Sequence, residues 1–381
     1  MLDFPAGTST VHRVSTQPAP EPAPGLRVAT LGGVPVYIGK SWGILAVIII
    51  ALIGPQLQDR LGATAYLVAA AYALLLLLAV MVHEAAHAIG ARAFGFPVHR
   101  VVADLWGGHT ALDVSRSTPG RSAVVAVVGP LANLLLSALG YAVAAMLPDG
   151  IAHGLANIFG FLNLMLALFN LLPGLPLDGG QLVEAAAWKL TGDRYRARVI
   201  AGYGGILVTL GVLYWFVGAP MLRGEKPSLG SLGWGLLICY FLWQGARSAI
   251  ASGRVGGALS RVRILDVLTP VAPVPYDAPL TQLPSGLAPV AVDAAGMPVA
   301  LLDLAALESV PAHARAFTPV SAVSRTQPPA WVLDIDPNAS LTEVLGPLHA
   351  VGTGLLAIRH QGRLVGVVTA ERVNDALEQR P

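Results

Sequence analysis

The chain has 381 residues, of which 54% are hydrophobic and only 12% are charged, and its formal net charge is +2. Soluble domains carry about twice that charged fraction, so the composition excludes an ordinary soluble protein. The small net charge, without a basic patch interleaved with aromatic residues, excludes a nucleic-acid partner. A single cysteine, Cys239, excludes a disulfide framework and a thiolate zinc site within one chain.

The segment that precedes the first apolar run is polar and rich in turn formers. Residues 1–25 are rich in Pro, Ser, Thr and Ala and have no apolar core, which predicts a disordered tail. Residues 26–39 alternate weakly and contain Gly-Gly, a pattern that predicts a short β hairpin against the membrane. Residues 98–114 are a second hairpin-like stretch.

From residue 41 onward, apolar runs long enough to cross a bilayer dominate the chain. A span needs about 20 such residues, which predicts a polytopic α-helical membrane protein with both termini on one side. The predicted spans lie near residues 42–58, 63–94, 121–147, 153–173, 199–219 and 231–252.

Basic residues in the loops between the spans predict on which side of the membrane the two termini lie. The loops on one side carry many arginines and lysines, whereas the opposite loops carry only Arg60, Arg223 and Lys226. By the positive-inside rule, both termini are predicted to be cytoplasmic. The residues on the predicted cytoplasmic side are Lys40, Arg92, Arg100, Arg116, Arg121, Lys189, Arg194, Arg196, Arg198, Arg247, Arg254, Arg261 and Arg263.

The second span contains the sequence HEAAH, from His83 to His87. Two histidines four residues apart stand on one helix face, so both rings can reach one zinc ion. Glu84 points in another direction and is placed to accept a proton from a water molecule. Ionisable residues at membrane depth are costly and usually functional. The pattern therefore predicts a metal-dependent hydrolase site with His83 and His87 as ligands.

A zinc site of this kind needs a third protein ligand. His109 is one candidate, although an interfacial hydrogen-bonding role explains this residue better. Asp178 is the better candidate, because prolines 173 and 176 interrupt the apolar run before it and two glycines follow it. Broken backbone at this depth is tolerated where protein covers it or where it lines a wet cavity. On spacing alone, Asp178 is equally well explained as a helix-capping aspartate.

Three motifs in order resemble the site-2 protease family of intramembrane zinc metalloproteases: HEAAH, VGPLAN at 128–133 and NLLPGLPLDGG at 170–180. The similarity spans about residues 26–255. It implies one zinc ion per chain, held by His83, His87 and Asp178, with Glu84 as the general base. It also implies that Asn170 helps to hold the scissile carbonyl, and that Gly129 and Asn133 lie beside the substrate.

The resemblance further implies a substrate and a location. Family members hydrolyse a peptide bond in or near the transmembrane segment of a membrane-bound regulatory protein. The expected partner is thus a single-span protein such as an anti-sigma or pro-sigma factor. The expected location is the lipid bilayer of a bacterial plasma membrane.

Residues 256–381 have more charge and shorter apolar runs, and they contain two similar halves. Each half reads as strand, helix and hairpin, which resembles a tandem pair of CBS domains and predicts an α/β regulatory module. Such pairs often bind an adenine nucleotide through a Thr followed three residues later by Asp. Here Thr369 is followed by Arg372, and Asp303 by Ala306, so nucleotide binding is doubtful. A purely structural module, or one that forms a homodimer, is expected at least as much as a nucleotide-binding one.

Two other functions fit parts of the sequence. A membrane transporter regulated by CBS domains would use the HEAAH groups as a metal or proton site. A catalytically silent scaffold is the second alternative, but the complete set of ligand and base residues argues against it. The spans show no evident pair of interrupted segments in matching halves, which argues against transport.

Overall fold

Six long apolar helices form the membrane domain in the computed structural model, which describes residues 25–104, 107–112 and 117–378. Their number agrees with the prediction, and their ends differ from it by a few residues. The sixth helix begins at Leu229, close to its predicted start at residue 231, but continues to Leu259, past the predicted end at residue 252. The helices are α1 (Ser41–Leu61), α2 (Thr64–Ala93), α3 (Pro119–Met146), α4 (Ile151–Asn170), α6 (Arg194–Leu213, continued by a π-helical turn Tyr214–Gly218 and by α7, Ala219–Leu222) and α8 (Leu229–Leu259).

Polar caps explain where two of these helices begin. The side chain of Asp193 accepts hydrogen bonds from the backbone N–H groups of Tyr195 and Arg196, at 2.9 and 3.0 Å. Helix α6 therefore begins at Arg194 rather than near residue 199, where the apolar run suggested. Thr118 caps α3 in the same way through Arg121 N, with a proline at the first helical position.

Both predicted hairpins are present, and they form one four-stranded sheet. The first hairpin consists of β1 (Gly25–Leu31) and β2 (Val34–Gly39), and the second of β3 (Val98–Asp104) and β4 (Gly107–Leu112). Strands β2 and β3 pair in parallel, so the sheet order is β1-β2-β3-β4. Buried Val34, Val36 and Val101 pack against Ala88 of α2, which attaches the sheet to the helix that carries HEAAH.

The apolar run before Asp178 breaks as predicted. After α4 ends at Asn170, the chain forms an irregular loop and then begins α5 (Asp178–Thr191). Leu175 N donates a hydrogen bond of 3.1 Å to the carbonyl oxygen of Ala201 in α6, so the loop is held against a neighbouring span. The polar backbone of this broken segment is thereby covered by protein, as its depth requires.

The C-terminal region has the predicted α/β composition, with two halves of like order. The first half contains α9 (Ile264–Val267), β5 (Val271–Pro275), β6 (Ala288–Val292), β7 (Pro298–Leu302), α10 (Leu304–Ser309) and β8 (Ser324–Thr326). The second half contains β9 (Val332–Asp334), α11 (Thr342–Val351), β10 (Leu355–His360), β11 (Arg363–Thr369) and α12 (Ala370–Glu378).

In each half, a parallel strand pair adjoins an antiparallel hairpin: β5 with β6 and β7, and β9 with β10 and β11. The helix expected between the first two strands is only a single 3-10 turn, Leu280–Gln282, in the first half. A shared core of Val290, Trp331, Ala357 and Val367 joins the two halves.

Helix α8 joins the membrane domain to the C-terminal module. The domain boundary predicted at residue 255 falls inside this helix, which continues to Leu259. Leu259 is 6% exposed and packs into the core of the second half with Val262 and Ile264. Hydrophobic burial at its C-terminal end thus anchors a transmembrane helix in the C-terminal module.

Candidate metal centre

Three potential metal-binding side chains converge inside the membrane domain. His83 and His87 lie one turn apart in α2, and Asp178 is the first residue of α5. Asp178 Oδ2 lies 3.0 Å from His83 Nε2 and 3.1 Å from His87 Nε2, and the two Nε2 atoms are 3.0 Å apart. All three residues are at most 7% exposed. Helix α5 is capped by the backbone at Leu177 without a side-chain hydrogen bond, so Asp178 is not a simple capping aspartate.

The outer nitrogen of each ring has its own partner. His87 Nδ1 lies 2.7 Å from the carbonyl oxygen of Val125, and His83 Nδ1 contacts the side-chain oxygen of Asn133. Because both partners only accept hydrogen bonds, each Nδ1 carries the proton and each Nε2 keeps a free lone pair. Such contacts fix the tautomer and orientation of metal-binding histidines. Both lone pairs therefore face Asp178.

The spacing of these atoms fits a metal ion. Tetrahedral zinc with bonds of about 2.0–2.1 Å places its ligand atoms about 3.3 Å apart. The three measured separations are only slightly shorter than this, and the three atoms lie within 4.8 Å of one another. Two imidazoles and one carboxylate are also a donor set found in catalytic zinc sites. The residues present therefore fit one zinc ion with a position left for a non-protein ligand.

Gly129 of α3 makes room beside the two rings. A Cβ atom at this position would lie 2.7 Å from His87 Cε1 and 2.8 Å from His83 Cε1. Real Cβ atoms essentially never approach other heavy atoms that closely. Glycine is therefore required because α3 passes directly over the edge of the candidate metal site.

Asn133 belongs to a buried hydrogen-bond network that joins helices α2, α3 and α4. Its Nδ2 donates to the side-chain oxygen of Asn163 at 2.8 Å, and Asn163 Nδ2 donates to Phe159 O at 2.9 Å. Asn133 and Asn163 are both fully buried. Sequence reasoning missed Asn163, although a polar residue within an apolar span was a usable signal. The hydrogen bonds of Asn133 to His83 and to Asn163 therefore fix the position of the His83 ring.

Gln181 is a second residue that sequence reasoning missed. Its Nε2 donates to Asp178 Oδ1 at 3.3 Å, whereas Oδ2 faces the two histidines. The side chain lies one turn after Asp178 on α5, and this spacing alone was a usable signal.

The glycines after Asp178 allow close packing of its loop. A Cβ atom on Gly180 would meet the backbone of Gly174 and Leu175, and one on Gly179 would meet Leu171 and Leu172. The two glycines are thus needed for the tight turn that brings Asp178 to the histidines.

The other predicted site residues occupy less direct positions. Glu84 is 6% exposed and follows His83 on α2. Asn170 is the last residue of α4, and its Nδ2 donates to Leu166 O of the same helix at 3.0 Å. An amide has two N–H groups, so one donor of Asn170 remains for another partner. The side chain of His109 lies outside the described residues.

Comparison with known proteins gives a family for this site. Residues 71–157 and 148–212 match the model of peptidase family M50. The protein sll0528 of Synechocystis, named a zinc metalloprotease, is 31% identical over 65% of this chain and 66% of its own length. Rip3 of Mycobacterium tuberculosis, also named a zinc metalloprotease, is 35% identical over 54% of this chain and 52% of its own length. The chain thus spans between half and two thirds of these relatives.

A solved structure also aligns with part of this chain. The site-2 protease from Methanocaldococcus jannaschii aligns with 59% of this chain and 94% of that chain, at 22% identity and a TM-score of 0.43. The family match contains HEAAH and Asp178, so residues 71–212 match peptidase family M50, the site-2 protease family, over the segment that carries the candidate metal centre.

Proposed function

We propose that this protein is an intramembrane zinc endopeptidase that cuts a peptide bond in or near the transmembrane segment of a membrane-bound regulatory protein. The single observation that carries the proposal is the convergence of His83, His87 and Asp178 at a buried point among apolar helices. Buried ionisable groups at such depth are costly, which supports a functional role.

The chemistry divides among residues with separate tasks. A bound zinc ion supplies Lewis acidity toward the scissile carbonyl and makes water a better nucleophile at neutral pH. Glu84 accepts a proton from the attacking water and later gives a proton to the leaving amine. The free N–H of Asn170 is proposed to donate to the oxyanion that forms on the substrate carbonyl. Asn133 is proposed to lie beside the substrate while it orients His83.

A substrate helix must unfold locally, because its carbonyls are engaged in helical hydrogen bonds. Strands β1 and β4 are the two edges of the sheet attached to α2, and an edge strand can pair with an extended segment. Residues of β1 are exposed, with Leu26 at 70%. Proline substitutions at N–H positions along β1 that face away from β2 should lower cleavage with zinc content unchanged. Unchanged turnover would count against strand addition.

The proposed partner is a single-span regulatory protein of the anti-sigma or pro-sigma factor type. The proposed location is the bacterial plasma membrane with both termini in the cytoplasm. The distribution of arginines and lysines between the spans supports this orientation.

The deciding experiment compares wild-type protein with Glu84→Gln. Both proteins are purified at full length, and zinc per chain and cleavage of a single-span substrate are measured. We expect Glu84→Gln to keep its zinc and to lose cleavage, because the carboxylate moves a proton without holding the metal. Glu225→Gln is the matched control, since Glu225 lies in an exposed loop and its side chain is 62% exposed. Retained cleavage by Glu84→Gln would reject the mechanism.

A further inference from the structure

A cleft of about 440 Å³ lies beside the candidate metal centre. It is bounded by the start of α3, the loop before Asp178, and helices α5, α6 and α8. Its lining contains more polar side chains than a lipid-facing groove would present. The chief polar and aromatic members are Gln181, Glu184, Trp188, Arg194, Arg198 and Ser248.

One end of the cleft touches the residues that hold the metal ligands. Val125 lines the cleft, and its carbonyl oxygen contacts His87 Nδ1 at 2.7 Å. Gln181 also lines the cleft, and it donates to Asp178 Oδ1. The cleft therefore reaches the immediate neighbours of His87 and Asp178.

Helix α5 gives the cleft a direction and a length. Asp178, Gln181, Ala185 and Trp188 follow one another at helical spacing, so they form one stripe along the helix. Ten residues of α-helix extend about 15 Å. An extended peptide covers that distance in about four to five residues.

The far end of the cleft is positively charged. Arg194 and Arg198 both lie near the Glu184 carboxylate, and Arg194 Nε is 3.9 Å from Glu184 Oε1. The Arg194 guanidinium lies 5.2 Å from the ring centroid of Trp188. In the part of the chain that the structure describes, the buried Nε of Arg198 has no hydrogen-bond partner. Such a buried donor favours an incoming carboxylate.

We propose that this cleft binds the substrate segment on the cytoplasmic side of the scissile bond and selects an acidic side chain about four to five residues from the cut. Arg198 and Arg194 bind that carboxylate, and the exposed amide of Gln181 is available to the peptide backbone. This inference rests on the proposed function, because it names which substrates the same site prefers.

The first test measures occupancy without hydrolysis. In full-length Glu84→Gln protein, Ser248→Cys places a thiol in the cleft, and Ser252→Cys places a control thiol one turn further along α8. The probes are single-span proteins with a cysteine four or five residues on the cytoplasmic side of the cut, flanked by Asp, Asn or Lys. We expect a disulfide with Ser248→Cys rather than Ser252→Cys, formed about tenfold faster with Asp than with Lys.

The second test reverses the charge of the cleft. Arg198→Glu should reverse the order of the Asp and Lys probes in cross-linking and in cleavage by otherwise wild-type protein. Arg196→Glu should leave the order intact, because the Arg196 side chain is 67% exposed and pairs with Asp193 at the surface. Arg198→Gln should remove the preference without adding a buried negative charge.

Equal rates for Asp and Lys probes, or an unchanged order in Arg198→Glu, would overturn the inference. The inference would also be overturned if anionic lipid vesicles slowed cross-linking of all probes equally and Arg198→Glu abolished this slowing. The cleft would then bind a lipid phosphate rather than a substrate carboxylate. Absence of cleavage by zinc-loaded wild-type protein would reject the proposed function. The cross-linking preference would still be measured in that case, so the two failures are distinguishable.

Discussion

The side-chain oxygen of Asn133 contacts His83 Nδ1, and the amide nitrogen of Asn133 is bonded to Asn163. Two transmembrane helices thus fix the ring of a ligand that a third helix carries. This arrangement explains why three polar residues tolerate full or nearly full burial in apolar spans. It also means that the metal centre depends on helix packing as well as on its ligands.

Asn133→Leu should weaken metal binding. It leaves His83 Nδ1 buried without its partner, which costs about 1–3 kcal/mol, and loss of such a contact lowers metal affinity about 10–100-fold. Competition with a zinc chelator measures the affinity. The control is Asn157→Leu, because Asn157 is bonded to His153 on α4 and does not touch the metal ligands. Equal affinity in Asn133→Leu and wild type would contradict the assigned role.

Gly129→Ala should abolish zinc binding while the helix still forms. The added methyl group would overlap the edges of both rings, whereas alanine favours an α-helix over glycine. The control is Gly120→Ala in the same helix, where a Cβ atom meets nothing within 4 Å. Metal content and circular dichroism separate the two effects. A zinc-loaded Gly129→Ala protein would show that α3 does not crowd the centre.

Gly205→Ala should displace the loop that carries Asp178. A Cβ atom on Gly205 would overlap the carbonyl oxygen of Leu175 and lie 2.9 Å from Ala246 Cβ. Overpacking of this kind costs about 1–3 kcal/mol. Here the clash is at Leu175, three residues before the proposed metal ligand Asp178. We expect lower zinc affinity and a lower unfolding temperature. Gly211→Ala, in open space on the same helix, should change neither; equal behaviour of the two variants would contradict the prediction.

Glu184 should make stability depend on pH. Burial raises the pKa of this carboxyl group above its usual value, against the opposing positive charges of Arg198 and Arg194. Glu184 therefore binds its proton more tightly in the folded protein than in the unfolded protein. The contribution of protonated Glu184 to the free energy of unfolding is complete below the usual glutamate pKa of about 4.3. It is lost as pH rises through the higher pKa of Glu184 in the folded protein.

Thermal unfolding of wild type and Glu184→Gln, measured from acid to neutral pH, checks this sign. The stability of the wild type relative to Glu184→Gln should fall as pH rises. Arg198→Gln removes one of the opposing charges, so it should steepen the fall. A relative stability that grows with pH would show that the arginines outweigh burial.

The sequence predicted the six spans because their length and hydrophobicity are set by the bilayer itself. It predicted HEAAH as a site because ionisable residues in such a span are rare. The contact of Asp178 with the two histidines depends on packing between helices that are distant in sequence. From residue spacing alone, a helix-capping role for Asp178 explained the sequence equally well. The resemblance of three motifs pointed to the ligand set before its geometry was known.

Other features had no local signal. Parallel pairing of β2 with β3 joins segments separated by two transmembrane helices, so neither hairpin indicates it. The contact of Gly205 with the Leu175 carbonyl depends on the crossing of α6 over the loop. The cleft along α5 is closed by α8, which is distant in sequence, and only the assembled helices bring Ser248 opposite Gln181.

The most direct test of the metal centre is zinc per chain in purified full-length protein, measured for wild type, His87→Ala, Asp178→Ala and the control Asp193→Ala. Asp193 caps α6 and is distant in role from the ligands. One zinc per wild-type chain, loss in the first two variants and retention in Asp193→Ala are predicted. A full complement of zinc in Asp178→Ala would contradict the account, because the carboxylate would then not hold the metal.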